Sequence, residues 1–231
     1  MEHGKSILLY AISVVVMFGF FTQDIVDQTR LCLYFENASE PEEELAHKAA
    51  YQVQNFYQDL GFQLNKCNTV HISFVDEIEI ENRKIEYALG IFDKSANTIY
   101  MLHYKSSIYS ECAPFGLKNS SEMYYSILCH EMAHFFNSVF LSSIPPIADE
   151  FVAATVQFSL LSEGLRSQLL RRSTLPELSC VRDLTASAYI SDASGFLLRC
   201  YILSENCPNL VYRILKGDQL GFKDPFLVHR S

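Results

Sequence analysis

His130-Glu131-Met132-Ala133-His134 places two imidazoles four residues apart with a carboxylate between them. On a helix, positions i and i+4 share a face, so both rings can grip one Zn²⁺ while Glu131 reaches a water on the same ion. Such a centre is hydrolytic. The cation lowers the pKa of its water toward about 7, and Glu131 takes the proton as the oxygen attacks a polarised carbonyl and later delivers it to the leaving amine. The alternative is a pair of core histidines bonded to backbone, with Glu131 in solvent. Two rings and an acid inside an apolar helix are costly to bury without a shared cation or other partners.

Catalytic zinc wants a third protein ligand and an open position. Ser142-Ser143-Ile144-Pro145-Pro146 must break the helix that carries the histidines, and a helical pattern resumes from Ile147 to Phe158 with Asp149 and Glu150 near its start. A short connection makes the two helices antiparallel neighbours, so the first turns of the second can face the histidines. Glu150, followed by the small Ala153 and Ala154, is the expected ligand. The shorter Asp149 is better suited to hold a histidine Nδ1–H from behind. Otherwise both acids would serve only the positive end of the helix dipole.

The elements around this pair follow from apolar periodicity. Asn119 with Glu122 reads as a cap for the histidine helix, and Met123, Ile127, Cys129, Met132, Ala133, Phe136 and Val139 make it a nearly buried one. Leu31 to Phe35 reads as a strand. Ser39 with Glu42 reads as a capping box before a helix running to about Leu60 and stopped by Gly61, with Glu40, Glu42, Glu43 and Glu44 as a solvated first turn. Val70, Ile72 and Phe74 alternate with exposed positions, among them His71. Ile78 and Ile80, Lys84 to Phe92, and Thr98 to Tyr104 extend the sheet around a turn at Asp93 to Asn97. His103 is expected at the surface.

His130-Glu131-x-x-His134 followed by Pro146 and Glu150 resembles the zincin metallopeptidases of the gluzincin type, in which HExxH and a glutamate on the next helix bind zinc. More narrowly, it is similar to small exported bacterial zincins whose third-ligand segment reads roughly Pro-x-Trp-x-x-Glu-Gly-x-Ala. Ile147 stands here in place of the tryptophan and Phe151 in place of the glycine. Gly90 to Met101 resembles the hairpin leading into the edge strand above a zincin cleft, and Tyr189 to Gly217 resembles two closing helices. The resemblance implies that substrate lies along the edge strand, for which Ile99 to His103 is the candidate. It also implies a tyrosine or histidine donor to the developing oxyanion. Tyr189 is the candidate, with Tyr201 behind it.

Composition sets further bounds. The chain has 231 residues, 49% hydrophobic and 19% charged, with a net charge of -9, and so is globular and acidic. The absence of a Lys/Arg cluster argues against nucleic acid and against attraction to anionic membranes. Lys5 before the apolar run Ile7 to Phe21 reads as a signal peptide with Gly19 near its cleavage point, or as an uncleaved N-terminal membrane anchor within residues 1–24; the other reading is a buried helix of the domain. Of seven cysteines, Cys129 is expected to stay a thiol inside the histidine helix. Cys32, Cys67, Cys112, Cys180, Cys200 and Cys207 allow three disulfides in fifteen connectivities, with Cys200–Cys207 the favoured local pair.

The expectation is therefore an exported protein, periplasmic or extracellular, with one zincin-like domain over residues 25–231. Its fold is α+β: a small mixed β-sheet over the HExxH helix, then a glutamate helix and closing C-terminal helices. Its expected activity is zinc-dependent hydrolysis of a peptide or protein substrate, with Glu131 and Tyr189 catalytic and His130, His134 and Glu150 on Zn²⁺. The alternative is a non-catalytic relative that keeps structural zinc and binds a partner in the cleft. Retention of Glu131 favours catalysis, because a structural site has no need of a base.

Overall fold

The computed structural model describes residues 31–86, 88–111, 114–117, 119–172 and 181–218, so the apolar N-terminal run, Cys112 and Cys180 lie outside the described residues. The chain forms two compact units, a small one of Met1–Cys32 with Leu64–Asn68 and a larger one of Leu33–Gln63 with Thr69–Ser231. The architecture is α+β.

Strand β1 (Leu31–Glu36) leads to helix α1 (Glu40–Asp59), then β2 (Asn68–Val75), β3 (Glu79–Ile80), β4 (Arg83–Lys84), β5 (Gly90–Asp93) and β6 (Thr98–Leu102). One sheet runs β1-β2-β6-β5, and β3 with β4 forms a separate antiparallel pair. The four-stranded sheet is mixed: β6 pairs with β2 in parallel and with β5 antiparallel. The expected long strand from Lys84 to Phe92 is therefore divided, its first residues turning back on Glu79–Ile80 and its last joining the main sheet. A second correction concerns the edge. β6 is hydrogen-bonded on both sides and buries Ile99, Met101 and Leu102, so the edge strand on this side of the sheet is β5 and not Ile99 to His103.

The helical half begins with α2 (Ser107–Glu111) and continues with α3 (Ser121–Phe140), α4 (Pro146–Ser159), α5 (Glu163–Arg172), α6 (Ala186–Ser191), α7 (Ala193–Asn206) and α8 (Leu210–Leu215). Helix α3 is apolar nearly all round and is buried accordingly, packed between α4, α1 and β5. Two tyrosines fix its position through polar tips that would otherwise be orphaned in the core: Tyr124 donates to the Leu102 carbonyl of β6 at 2.8 Å, and Tyr57 of α1 donates to the Asn137 side chain at 2.6 Å.

Helix ends follow local chemistry with one shift of register. α1 stops in a Schellman arrangement, with Gly61 at φ +84°, its N–H on the Gln58 carbonyl and the Phe62 N–H on the Tyr57 carbonyl. α3 is capped by Ser120, whose hydroxyl accepts from the Met123 N–H at 3.1 Å, and not by Asn119, whose amide instead bonds the Tyr109 carbonyl. At the start of α1 the Glu42 carboxylate accepts from the Ser39 N–H, the reciprocal bond of a capping box, and also from the Ser39 hydroxyl. Glu42 is not solvated, however. It is 3% exposed and also holds the Tyr104 N–H at 2.8 Å and the His103 Nδ1 at 3.2 Å, so His103 is half-buried and paired.

The Cys200–Cys207 pairing does not occur. Cys200 is buried within α7 and Cys207 follows its last turn, and a helical rise over seven positions separates their backbones by roughly 10 Å, beyond the reach of a disulfide. Cys129 is a buried free thiol, as expected, its pKa pushed up to about 12 by burial. Among the described residues, no helix is long and apolar enough to cross a membrane.

Candidate metal centre

Helix periodicity puts His130 and His134 on one face of α3, and Pro146 at the first position of α4 starts that helix so that Glu150 falls one turn in, facing them. Ala153 and Ala154 are fully buried where the two helices meet, and their small side chains allow the close approach. The Nε2 atoms of the two histidines are 3.1 Å apart. Glu150 Oε2 lies 3.4 Å from His130 Nε2, and Glu150 Oε1 lies 3.8 Å from His134 Nε2. A tetrahedral ion with bonds near 2.1 Å has ligand–ligand edges of about 3.4 Å, which these spacings bracket. His130, His134 and Glu150 can therefore hold a metal ion.

Hydrogen bonding decides which ring nitrogens face that position. Ser126 donates its hydroxyl to the Met123 carbonyl and accepts the Gln157 amide N–H, which turns Gln157 Oε1 toward His130 Nδ1 at 3.0 Å. An amide oxygen only accepts, so Nδ1 carries the proton and the Nε2 lone pair points into the centre. A parallel chain runs behind the other ring. Tyr57 donates to Asn137, Asn137 donates to Asp149 Oδ1 at 2.7 Å, and Asp149 Oδ2 accepts from His134 Nδ1 at 3.0 Å. Asp149 thus takes the orienting role expected of it.

Charge balance points the same way. Glu150 Oε2 is buried with no hydrogen-bond donor, an orphan that a cation would satisfy. Burial works against charge on His134, yet the carboxylates of Asp149, Glu150 and Glu131 outweigh it and push the ring up to about 10. Burial likewise disfavours charge on Glu150, but the two histidines and the Tyr189 hydroxyl hold its carboxyl below the ordinary range. A cluster of three acids around two rings calls for positive charge, which a divalent cation at the Nε2 atoms would supply.

Glu131 stands beside these three without joining them. It is 6% exposed and lies against β5; burial raises its pKa, with the Glu150 charge adding to the effect and the two histidines and the Phe92 N–H opposing it. Gly90 makes this contact possible. A Cβ there would come within 2.8 Å of Glu131 Cγ and 2.6 Å of Met101 Sδ, so the edge strand can lie against α3 only with a glycine at this point. His130, Glu131, His134 and Glu150 all line a cavity of about 550 Å³, walled by β5 on one side and by Phe115 and Leu197 on others.

Tyr189 of α6 also lines the cavity with its hydroxyl near Glu150, its pKa raised by burial and by the nearby Glu150 and Glu131 charges. Tyr201 does not belong to the site. Its ring packs on Phe158 at 5.6 Å and its hydroxyl lies near Arg166 and Glu205, away from the centre. A family described as "Family of unknown function (DUF6639)" matches residues 36–220. The chain belongs to this family. No curated protein and no solved structure matches the chain.

The matched span covers every residue of the centre, including those that sequence reasoning missed: Gln157, Ser126, Asn137, Tyr57 and Gly90. Two of these carried a usable signal. Gln157 lies seven residues after Glu150, two turns along the same face, and Asn137 lies one turn after His134 in an otherwise apolar run. Tyr57 and Gly90 are distant in sequence, and nothing local marks them.

Proposed function

We propose that this protein is a zinc-dependent peptidase with a zincin-like arrangement, in which His130, His134 and Glu150 bind Zn²⁺ and Glu131 moves the proton. The observation that carries this reading is a buried carboxylate that is not a ligand, placed in the same cavity as three convergent ligand groups. A structural zinc site would need no such group.

Bound zinc would supply Lewis acidity, making a water acidic near neutral pH and polarising a substrate carbonyl. The residues of this chain do the rest. The Glu131 carboxylate accepts the proton of the attacking water and returns it to the nitrogen of the departing amine. Glu131 lines the cavity against β5, and its raised pKa brings it nearer to working as both acceptor and donor. Asp149 and Gln157 hold the two Nδ1–H groups from behind, which keeps both Nε2 atoms aimed inward. Tyr189, near Glu150, offers a hydroxyl at the cavity wall for the developing oxyanion. Leu89, Ile91 and Phe92 at the edge strand, with Ile144 and Leu197, give an apolar surround suited to peptide side chains and to the exclusion of water.

Glu131→Gln tests the assignment. The variant is expected to retain about one zinc per chain while hydrolysis of a peptide library falls by roughly three orders of magnitude or more. Undiminished hydrolysis would remove Glu131 as the base. Zinc retention with no hydrolysis by either protein would leave the ion in a binding role.

A further inference from the structure

A second piece of chemistry lies in the small compact unit, far in sequence from the histidines and independent of the proposed peptidase. Cys32, in β1, and Cys67, one residue before β2, bring their Sγ atoms to 3.1 Å as free thiols. A disulfide needs about 2.05 Å between sulfurs, and small side-chain rotations cover the remaining difference of roughly 1 Å. The setting favours oxidation. Cys67 is exposed and Cys32 half-buried, so an oxidant has access to one sulfur and finds the second already in place, whereas Cys129 and Cys200 are closed off in the core.

The geometry points to Cys32 and Cys67 as a disulfide-forming site, oxidised by thiol–disulfide exchange with a small-molecule disulfide or a disulfide-donating oxidoreductase. The Cys67 thiolate attacks one sulfur of the donor and expels the other as a thiolate, forming a mixed disulfide. The Cys32 thiolate then attacks Cys67 Sγ, forms the intramolecular bond and expels the donor's remaining sulfur. The two protein thiols give up two electrons, the donor disulfide becomes two thiols, and the two protons leave with them. The product staples β1, an outer strand of the sheet, to the entry of its neighbour β2 and closes the loop 33–66 that contains α1. Closing a loop of this length restricts the unfolded chain and so favours the folded state of the oxidised protein.

The test uses the full chain, purified reduced and then equilibrated with oxidised glutathione, alkylated and digested for peptide mass mapping. The expected product is a Cys32–Cys67 linked peptide two hydrogens lighter than the two reduced peptides, with a Tm about 5–10 °C lower after reduction. Cys32→Ser should lose both the linked peptide and most of the Tm dependence on reductant. Full alkylation of Cys32 and Cys67 after oxidation, or a dominant link from Cys67 to Cys112, Cys180 or Cys207, would overturn the assignment. So would a wild-type Tm indifferent to reduction. The mapping needs only the natural chain, so a poorly folding variant does not weaken the test.

Discussion

Glu42 and Glu150 each lie near the start of a helix with a histidine beside them, and they end in opposite states. The Glu42 carboxylate accepts from the Ser39 N–H and hydroxyl, the Tyr104 N–H and the His103 ring, so its burial is fully compensated. Glu150 is held next to two imidazole nitrogens and keeps a buried oxygen with no hydrogen-bond partner. The same residue types thus make a finished structural joint in one place and a cluster that could hold a cation in the other. What separates them is whether the protein supplies every donor that the acid requires.

Removing each acid should separate the two regions most widely. Glu150→Ala is expected to weaken zinc binding about a thousandfold or more, measured by competition with a chelating dye, with little change in metal-free stability. Unaltered affinity would place the ion elsewhere. The orienting groups come next. Asp149→Asn should weaken zinc binding about 10- to 100-fold, and Gln157→Leu should do so less, because Asp149 contributes charge to its ring as well as orientation. Equal losses would show that orientation alone matters.

At the other glutamate the effect should appear in folding. Glu42→Ala leaves the Tyr104 N–H and the first turn of α1 without an acceptor, and should cost about 2 kcal/mol in denaturant unfolding with zinc affinity unchanged. A loss of zinc would mean that the two regions are coupled. The smallest effect is the pH dependence of that stabilisation. Burial pushes the Glu42 carboxyl up, but bonds from Ser39, Tyr104 and His103 hold it below its ordinary value of 4.5. With the folded pKa depressed, the contribution is fully present above about pH 4.5 and fades as pH falls through the lower folded value. The stability gap between wild type and Glu42→Gln should therefore narrow on acidification, and a gap constant down to about pH 3 would contradict the ionic account.

These two regions also differ in how readable they were. His130, His134 and Glu150 follow from i,i+4 spacing and a proline-marked helix start, both local properties, and the α+β class follows from alternating and helical periods in separate stretches. The capping at Ser39 was legible for the same reason. The fate of Glu42 was not, because its partners His103 and Tyr104 lie 61 and 62 residues away and reach it only once β6 has joined the sheet. The edge of the sheet was misplaced on similar grounds. Which of two adjacent apolar strands lies inside depends on pairing with β2, and neither strand's own pattern records that partner.

By itself the sequence determined which side chains could converge on an ion, since helical rise and twist fix the relative directions of residues one turn apart. Tertiary structure alone decided that Tyr57 would reach across from α1 to steady Asn137 and Asp149, that Gly90 would let an edge strand rest on Glu131, and that one glutamate would be satisfied while another was not. The reason is that hydrogen-bond satisfaction in a core is a sum over groups supplied by several elements, and that sum exists only once those elements have packed.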